Sequence, residues 1–425
     1  MDGGLPFRLL GLDPAGATVT GPSDVLASRY DVTGLLTGAV SVAATAYADY
    51  AVACGRARPA VAVDTQRAAA AGQSLSFVRL EGRALAESAP LTGLVHARKG
   101  WVRLHANYDH HRDALCAVLG VEPQRAAVER AAADWDAIAL ETALAEHGGV
   151  GMAVRTVEQW AESDQGRVVA NQPLLSVDVR GEGPHAPRQP RVLDLTRVVA
   201  GPVGTRMLGL LGADVLRLDR PDRPEQDIYL DTGLAKRSAL VDLRTEDVHE
   251  LLAQSDVVVI GYRPGALPGV RAAIEQHPQL VVIELSAWGW AGPWRTWRGF
   301  DSLVQAATGI NVAEGSIGQP SQLPCQALDH ATGYLIAACA WHGLTHRSAD
   351  GLGRRYRLAL AQTAAWLGIP RAEPCTATTV LADLQTISSG YGRSTVLAPP
   401  ITINGTVPRW PSGAQRPGSA LARWR

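Results

Sequence analysis

Asp329 stands at the head of an apolar stretch that runs to about His346, directly after Pro324-Cys325-Gln326-Ala327-Leu328. An acid there is expected to cap a helix, because the first four N–H groups have no partner of their own and the helix dipole favours negative charge. The same donors are expected to keep Asp329 ionised well below neutral pH. A carboxylate is also a suitable nucleophile for reversible acyl exchange, since each covalent state must itself be a competent leaving group. On the same helix His342 and His346 share a face, but no acidic third ligand follows at useful spacing, so no metal site is expected. Trp288, Trp290, Trp294 and Trp297 crowd one loop and read either as core packing or as the wall of an acyl pocket.

Those side chains need a scaffold, and the stretch Arg191–Asp219 supplies one. The apolar run Val192–Thr196 reads as a buried strand. Gly201-Pro202 turns the chain, Met207, Leu208, Leu210 and Leu211 form a helical face, and Val215–Leu218 starts a second strand. This βαβ unit implies a parallel sheet with helices packed on it. Small residues at Ala200, Gly201 and Gly204 leave the first turn open at the carboxyl end of the strand, where open parallel sheets bind ligands. Asp219 after the second strand would suit a dinucleotide, but the glycine fingerprint of that class is absent. Further strands are expected at Ala239–Leu243, Val257–Ile260 and Val281–Ser286, with helices at Glu246–Gln254 and Gly269–Gln276 between them.

The chain has 425 residues, which implies two domains or one large domain with an insertion. Its formal net charge of -1 carries no basic footprint for nucleic acid. The N-terminal residues lack the basic start and apolar core of a signal peptide, and no segment is expected to span a membrane. Cys54, Cys116, Cys325, Cys339 and Cys375 are scattered without zinc-type spacing, which points to free thiols in a reducing, cytoplasmic setting.

The first half is organised differently. Gly34–Ala44 reads as a small-residue helix, followed by a strand at Ala60–Asp64 and an alanine-rich helix. The order recurs at Thr332–Leu335 and Leu358–Ala361, a weak internal repeat. Matching Thr33-Gly34 to Thr332-Gly333 sets Tyr30 opposite Asp329, so Asp31 is expected to be a helix cap. Residues 96–180 read as a small α+β unit, with a strand at Trp101–His105 and helices near Arg112–Leu119 and Trp135–His147. The expected division is 1–95, a helix-and-strand segment; 96–180, the α+β domain; 181–190, a Gly/Pro-rich linker; and 191–425, the sheet with the nucleophile helix and a peripheral tail.

The wording of the second half is more specific than its periodicity. The phrase RVLDLTRVVAGP is followed by Lys236-Arg237-Ser238, Tyr262-Arg263-Pro264-Gly265, Leu285-Ser286-Ala287-Trp288-Gly289, Gly299-Phe300-Asp301 and finally Asp329. In that order these motifs resemble the family III CoA-transferases, the formyl-CoA and carnitine type. The resemblance implies an α/β fold, a Rossmann-like CoA-binding sheet plus a small α+β domain, with the two halves here in exchanged order. It implies coenzyme A as a substrate, transfer of CoA from an acyl-CoA to a free carboxylic acid, and a homodimer. It makes Asp329 the nucleophile of aspartyl anhydride and aspartyl-CoA thioester intermediates. Val198, Val199, Ala200, Arg220, Lys236 and Tyr262 would contact CoA, and the loop with Gly315 and Gly318 would offer N–H donors to an oxyanion. Val199 and Gly261 replace residues that are often polar in the family, which leaves a CoA-binding protein without turnover as one alternative. An acyl-CoA racemase is the other, but Phe300 stands where that branch has a histidine, and phenylalanine cannot move a proton.

Overall fold

The computed structural model describes residues 1–425 except 86–88, 184–188, 224, 226, 379 and 381. Along the chain, β1 (Thr18–Thr20), α1 (Val32–Ala53), β2 (Val61–Asp64) and α2 (Thr65–Gly72) come first. A small unit follows, with β3 (Gly93–His96), β4 (Trp101–Leu104), α3 (Asp109–Leu119), α4 (Ala137–Glu146) and β5 (Gly151–Ala153). The second half holds β6 (Leu175–Glu182), β7 (Arg191–Leu195), α5 (Ala200–Leu210), β8 (Asp214–Asp219), β9 (Arg237–Leu240), β10 (Val257–Ile260) and β11 (Val281–Ser286). It continues with α6 (Asp301–Ala307), α7 (Ala327–Asp350), β12 (Leu352–Ala359), α8 (Leu360–Leu367) and β13 (Ile401–Ile403).

The apolar runs produce a seven-stranded sheet in the order β9-β8-β7-β10-β11-β12-β6. Its first six strands are parallel, and β6 is antiparallel to β12. Strand β10 is a continuous apolar run, and β11 is apolar apart from Glu284 and Ser286, because helices cover both faces of the sheet. The α/β reading holds. The expected linker does not begin where the composition changes, because Val179–Glu182 belong to β6 and pair with β12. Residues 184–188 of that linker lie outside the described residues. The helix expected at Glu246–Gln254 is confined to His249–Ala253. The C-terminal tail wraps the sheet, with Trp424 buried in its second apolar cluster and its indole N–H donated to Leu251 O at 3.0 Å.

Helix α1 is long and apolar enough to cross a membrane, contrary to the expectation from sequence. Its hydrophobicity is that of a core helix: most of its residues are buried, and Tyr47 and Tyr50 lie against Trp341 of α7 with ring centroids 5.5 and 4.9 Å apart. A helix apolar all round is a buried one. Helix α7 is buried to the same degree and packs against α5 as well.

The internal repeat has a different register from the one expected. Helices α1 and α7 begin at residues 32 and 327, β2 and β12 end at 64 and 359, and α2 and α8 run from 65 to 72 and from 360 to 367. The offset is 295 residues each time. It pairs Thr37-Gly38, not Thr33-Gly34, with Thr332-Gly333, and it sets Gly34, not Tyr30, opposite Asp329. The caps agree, Asp31 at φ -79, ψ 65 and Gln326 at φ -75, ψ 61. Asp31 is the expected cap, accepting the Gly34 N–H at 2.9 Å. Strand order repeats as well: β1-β2-β13 form a three-stranded sheet in which β1 is parallel and β13 antiparallel to β2, as β11 and β6 are to β12.

Helices α5 and α7 approach through glycine. A Cβ on Gly204 would lie 2.6 Å from the Gly333 carbonyl, and one on Gly333 would lie 2.6 Å from the Ala200 carbonyl. Backbone cannot give way as a side chain can, so Gly333→Ala is expected to cost about 1–3 kcal/mol, the usual range for overpacking. Urea unfolding should show a lower midpoint at unchanged slope. An unchanged midpoint would mean that the two helices do not meet so closely.

Candidate active site

Asp329 is the third residue of α7, 6% exposed, and its side chain lines a cleft at the carboxyl end of the sheet. Val198, Val199, Ala200, Arg220 and Tyr262 line the same cleft, so most of the residues singled out in the sequence are brought together. Val198 holds φ 69, a left-handed conformation that is costly for a β-branched side chain. Such strain persists only where the surroundings fix it. Here Glu225, with its side chain fully buried, accepts the Val198 N–H at 3.1 Å and the Arg197 Nε–H at 2.8 Å.

Three of the expected residues are not at the cleft. The Lys236 ammonium is wholly buried, donating to Asp194 Oδ2 and to the Pro202 carbonyl, both at 2.9 Å. It therefore ties the end of β7 to the first turn of α5 and has no reach for a phosphate. Burial lowers its pKa to about 8, against the pull of Asp194. Gly315 and Gly318 sit on a turn closed on itself, with the Ser316 N–H donated to Gln319 O and the Gln319 N–H to Ser316 O. Those amides are used locally, and the turn does not line the cleft. Asp219 is likewise committed, to Arg217 at 2.8 Å and the Ser238 hydroxyl at 2.6 Å, which leaves it no part in holding a ribose. Of the tryptophans, Trp297 lines the cleft, while Trp288 and Trp294 are core and Trp290 lies beneath Arg357.

Several cleft residues were not evident from sequence. Tyr108, His110 and His111 come from the small unit of the first half, and Arg223, Arg263 and Arg298 form the rim with Arg220. The Tyr108 hydroxyl donates to Glu225 at 3.2 Å, so one buried carboxylate joins the small unit to the first turn of the sheet. A run such as Tyr-Asp-His-His is a visible signal, but nothing in its spacing links it to a turn some ninety residues away. His105 stacks on Phe300 with centroids 3.7 Å apart. Burial lowers the pKa of His105 to about 4 and that of His111 to about 2, so both imidazoles are neutral at working pH.

The electrostatics of Asp329 run opposite to expectation. Its own backbone N–H, one of the free amides at the head of α7, is donated to Asp301 Oδ2 at 2.9 Å. Asp301 is fully buried, takes a further hydrogen bond from the Gln305 amide, and is the acid that caps this helix. Asp329 is left in a buried position beside another carboxylate, and burial first, then the charge of Asp301, raises its pKa well above the ordinary value.

Burial raises Asp301 to about 6, from an ordinary 3.8. A carboxyl whose folded-state pKa is raised binds its proton more tightly folded than unfolded. Its stabilising contribution is therefore fully present below 3.8 and is lost as pH rises through about 6. Asp301→Asn keeps an oxygen for the Asp329 amide and removes this titration. Its stability relative to the parent should rise between about pH 4 and 6 and be level above that, as read by thermal unfolding across pH. A difference constant across the range would mean that Asp301 titrates as an ordinary acid.

Residues 188–382 match the sequence model described as CoA-transferase family III. A curated protein of Mycobacterium tuberculosis described as a probable fatty acyl-CoA transferase, Rv3272, is 30% identical over 200 residues, 42% of this chain and 51% of that protein. The mouse succinyl-CoA:glutarate CoA-transferase is 30% identical over 185 residues, covering 38% of this chain and 42% of that protein. The formyl-CoA:oxalate CoA-transferase of Streptomyces coelicolor is 30% identical over 191 residues, covering 40% and 46%. The chain thus spans about half the length of the curated relatives it matches. The segment 188–382 is similar to CoA-transferase family III.

Proposed function

We propose that this protein moves CoA from an acyl-CoA to a free carboxylic acid, with Asp329 as nucleophile. The observation that carries the reading is a buried carboxylate opening into a cleft rimmed by arginines, in the segment that matches family III. CoA brings phosphates to one end of such a cleft and a thioester to the other. Arg220, Arg223, Arg263 and Arg298 suit the phosphates, because guanidinium groups make charge-assisted hydrogen bonds to phosphate oxygen. Arg220 is paired with Asp222 at 2.7 Å, and a phosphate would compete with that partner at the cleft mouth. Val198, Val199, Ala200 and Tyr262 supply the apolar wall for the pantetheine arm.

The steps balance. Ionised Asp329 attacks the donor's thioester carbonyl, its C–S bond breaks, and an aspartyl mixed anhydride and CoA thiolate result. The thiolate attacks the aspartyl carbonyl, the donor acid leaves as its carboxylate, and an aspartyl-CoA thioester remains. The acceptor carboxylate attacks that thioester, and the thiolate then attacks the acceptor acyl carbon, releasing the new acyl-CoA and Asp329. The raised pKa makes Asp329 more basic than an ordinary aspartate once it is ionised, and so a stronger nucleophile. Each step passes through an oxyanion, and a neutral imidazole can donate an N–H without giving up its proton. His111 is our candidate for that donor, in place of the Gly315 and Gly318 turn.

The racemase alternative loses support. A base for proton abstraction works best with a pKa near the operating pH. Phe300 has no proton to exchange, and His105 and His111 fall far below neutrality. An adduct separates the remaining readings, since neither a racemase nor a passive binder forms one. Incubation with acyl-CoA and hydroxylamine should convert Asp329 to its hydroxamate, seen by mass spectrometry of the peptide. Asp329→Asn should bind CoA within a few-fold of the parent and exchange none of it. Labelling on another residue, or exchange by the Asn variant, would overturn the mechanism.

A further inference from the structure

We infer that this chain is an internal duplicate in which the first copy has lost its nucleophile and now completes the site of the second, so that one chain alone carries one CoA site. The inference rests on the proposed CoA chemistry only for what the site binds; the duplication rests on geometry.

The repeated block is residues 31–72 against 326–367, with no insertion or deletion across helix, strand and second helix. Shared ancestry explains a constant offset through three elements and the connections between them better than chance packing does. Strand pairing extends the likeness beyond the block. Asp64 and Ala359, one repeat apart, each pair in parallel with a neighbouring strand, through Thr20 in the first sheet and Ser286 in the second.

The nucleophile position has been emptied in the first copy. Gly34 stands where Asp329 stands, and its amide is donated to Asp31 at 2.9 Å. In the second copy the equivalent amide goes to Asp301, a residue of another element. The first copy therefore caps its helix from within, and a Cβ at Gly34 would lie 2.3 Å from an Asp31 carboxylate oxygen. Among the described residues, the sheet of the first copy has three strands, β1, β2 and β13, and no counterpart of the β7–α5 turn that bears Val198 to Ala200. It has neither a nucleophile nor a floor for CoA.

What it has instead is a supporting role. The chain after the first copy forms the small unit that delivers Tyr108, His110 and His111 to the Asp329 cleft, then returns as β6 to finish the sheet of the second copy. The chain after the second copy returns as β13 to finish the sheet of the first. Each copy is closed by a strand that follows the other. Helices α1 and α7 meet across the middle with both apolar surfaces covered. The pairing that the family resemblance leads one to expect between two chains is built here inside one.

The test uses the whole chain and CoA itself. Light scattering from nanomolar to micromolar protein should give the mass of one chain throughout, and equilibrium dialysis with labelled CoA should give one CoA per chain. A stable particle of two chains, two CoA per chain, or one CoA per two chains would each overturn the inference. If CoA does not bind at all, the proposed chemistry fails and the mass alone decides the inference, one chain supporting it and two chains overturning it.

Discussion

At the head of α7 the amide of Asp329 is given to Asp301, and the Asp329 carboxylate is left buried beside a second acid with no helix amide to neutralise it. This one allocation sets the chemistry of the cleft. An acid that took those amides for itself would be a quiet cap, ionised at all relevant pH and poorly nucleophilic. With Asp301 as the cap, Asp329 is held in place by its helix yet keeps a high-energy carboxylate facing the cleft. The cost is carried by the packing around it, because α7 is buried along almost its whole length against α1 and α5. Glycines at 204 and 333 permit that burial by letting backbone approach backbone.

Beneath the cleft the same logic runs with the opposite sign. Lys236, Arg217 and Arg197 are buried or nearly so, and each is met by a buried acid: Asp194, Asp219 or Glu225. A buried pair gives little net stability, but removing one partner is strongly destabilising, and that fixes geometry. Asp194 and Lys236 tie the end of β7 to α5, and Glu225 holds the strained Val198 and reaches Tyr108 of the small unit. The arginines left for a ligand are those at the rim.

Much of this was legible in the sequence. The strands at Val257–Ile260 and Val281–Ser286 were read to the residue, because continuous β-branched runs can only be buried on both faces. The motifs pointed to Asp329 and the first turn, and the structure places both at one cleft. Lys236 was misread because a lysine in a motif looks the same whether it faces a phosphate or a buried aspartate; only burial distinguishes them. The pKa of Asp329 was misjudged for a similar reason, since the sequence cannot say which of two acids takes the helix amides. Tyr108, His110 and His111 were invisible as site residues because a fold, not a spacing, brings them to Asp329. The repeat was seen but set four residues out of register, where a second Thr-Gly pair offered a false match.

The central claim is that oxygen passes through the Asp329 carboxylate during CoA exchange. Turnover with an acceptor acid labelled with heavy oxygen in its carboxylate, in ordinary water, tests it most directly. The anhydride formed by the acceptor leaves one of its oxygens on the enzyme, so the peptide bearing Asp329 should gain one heavy oxygen after a single turnover and up to two after many, and no other peptide should gain any. An unlabelled Asp329 after complete exchange would contradict the account, as would heavy oxygen entering it from labelled water instead of from the acceptor.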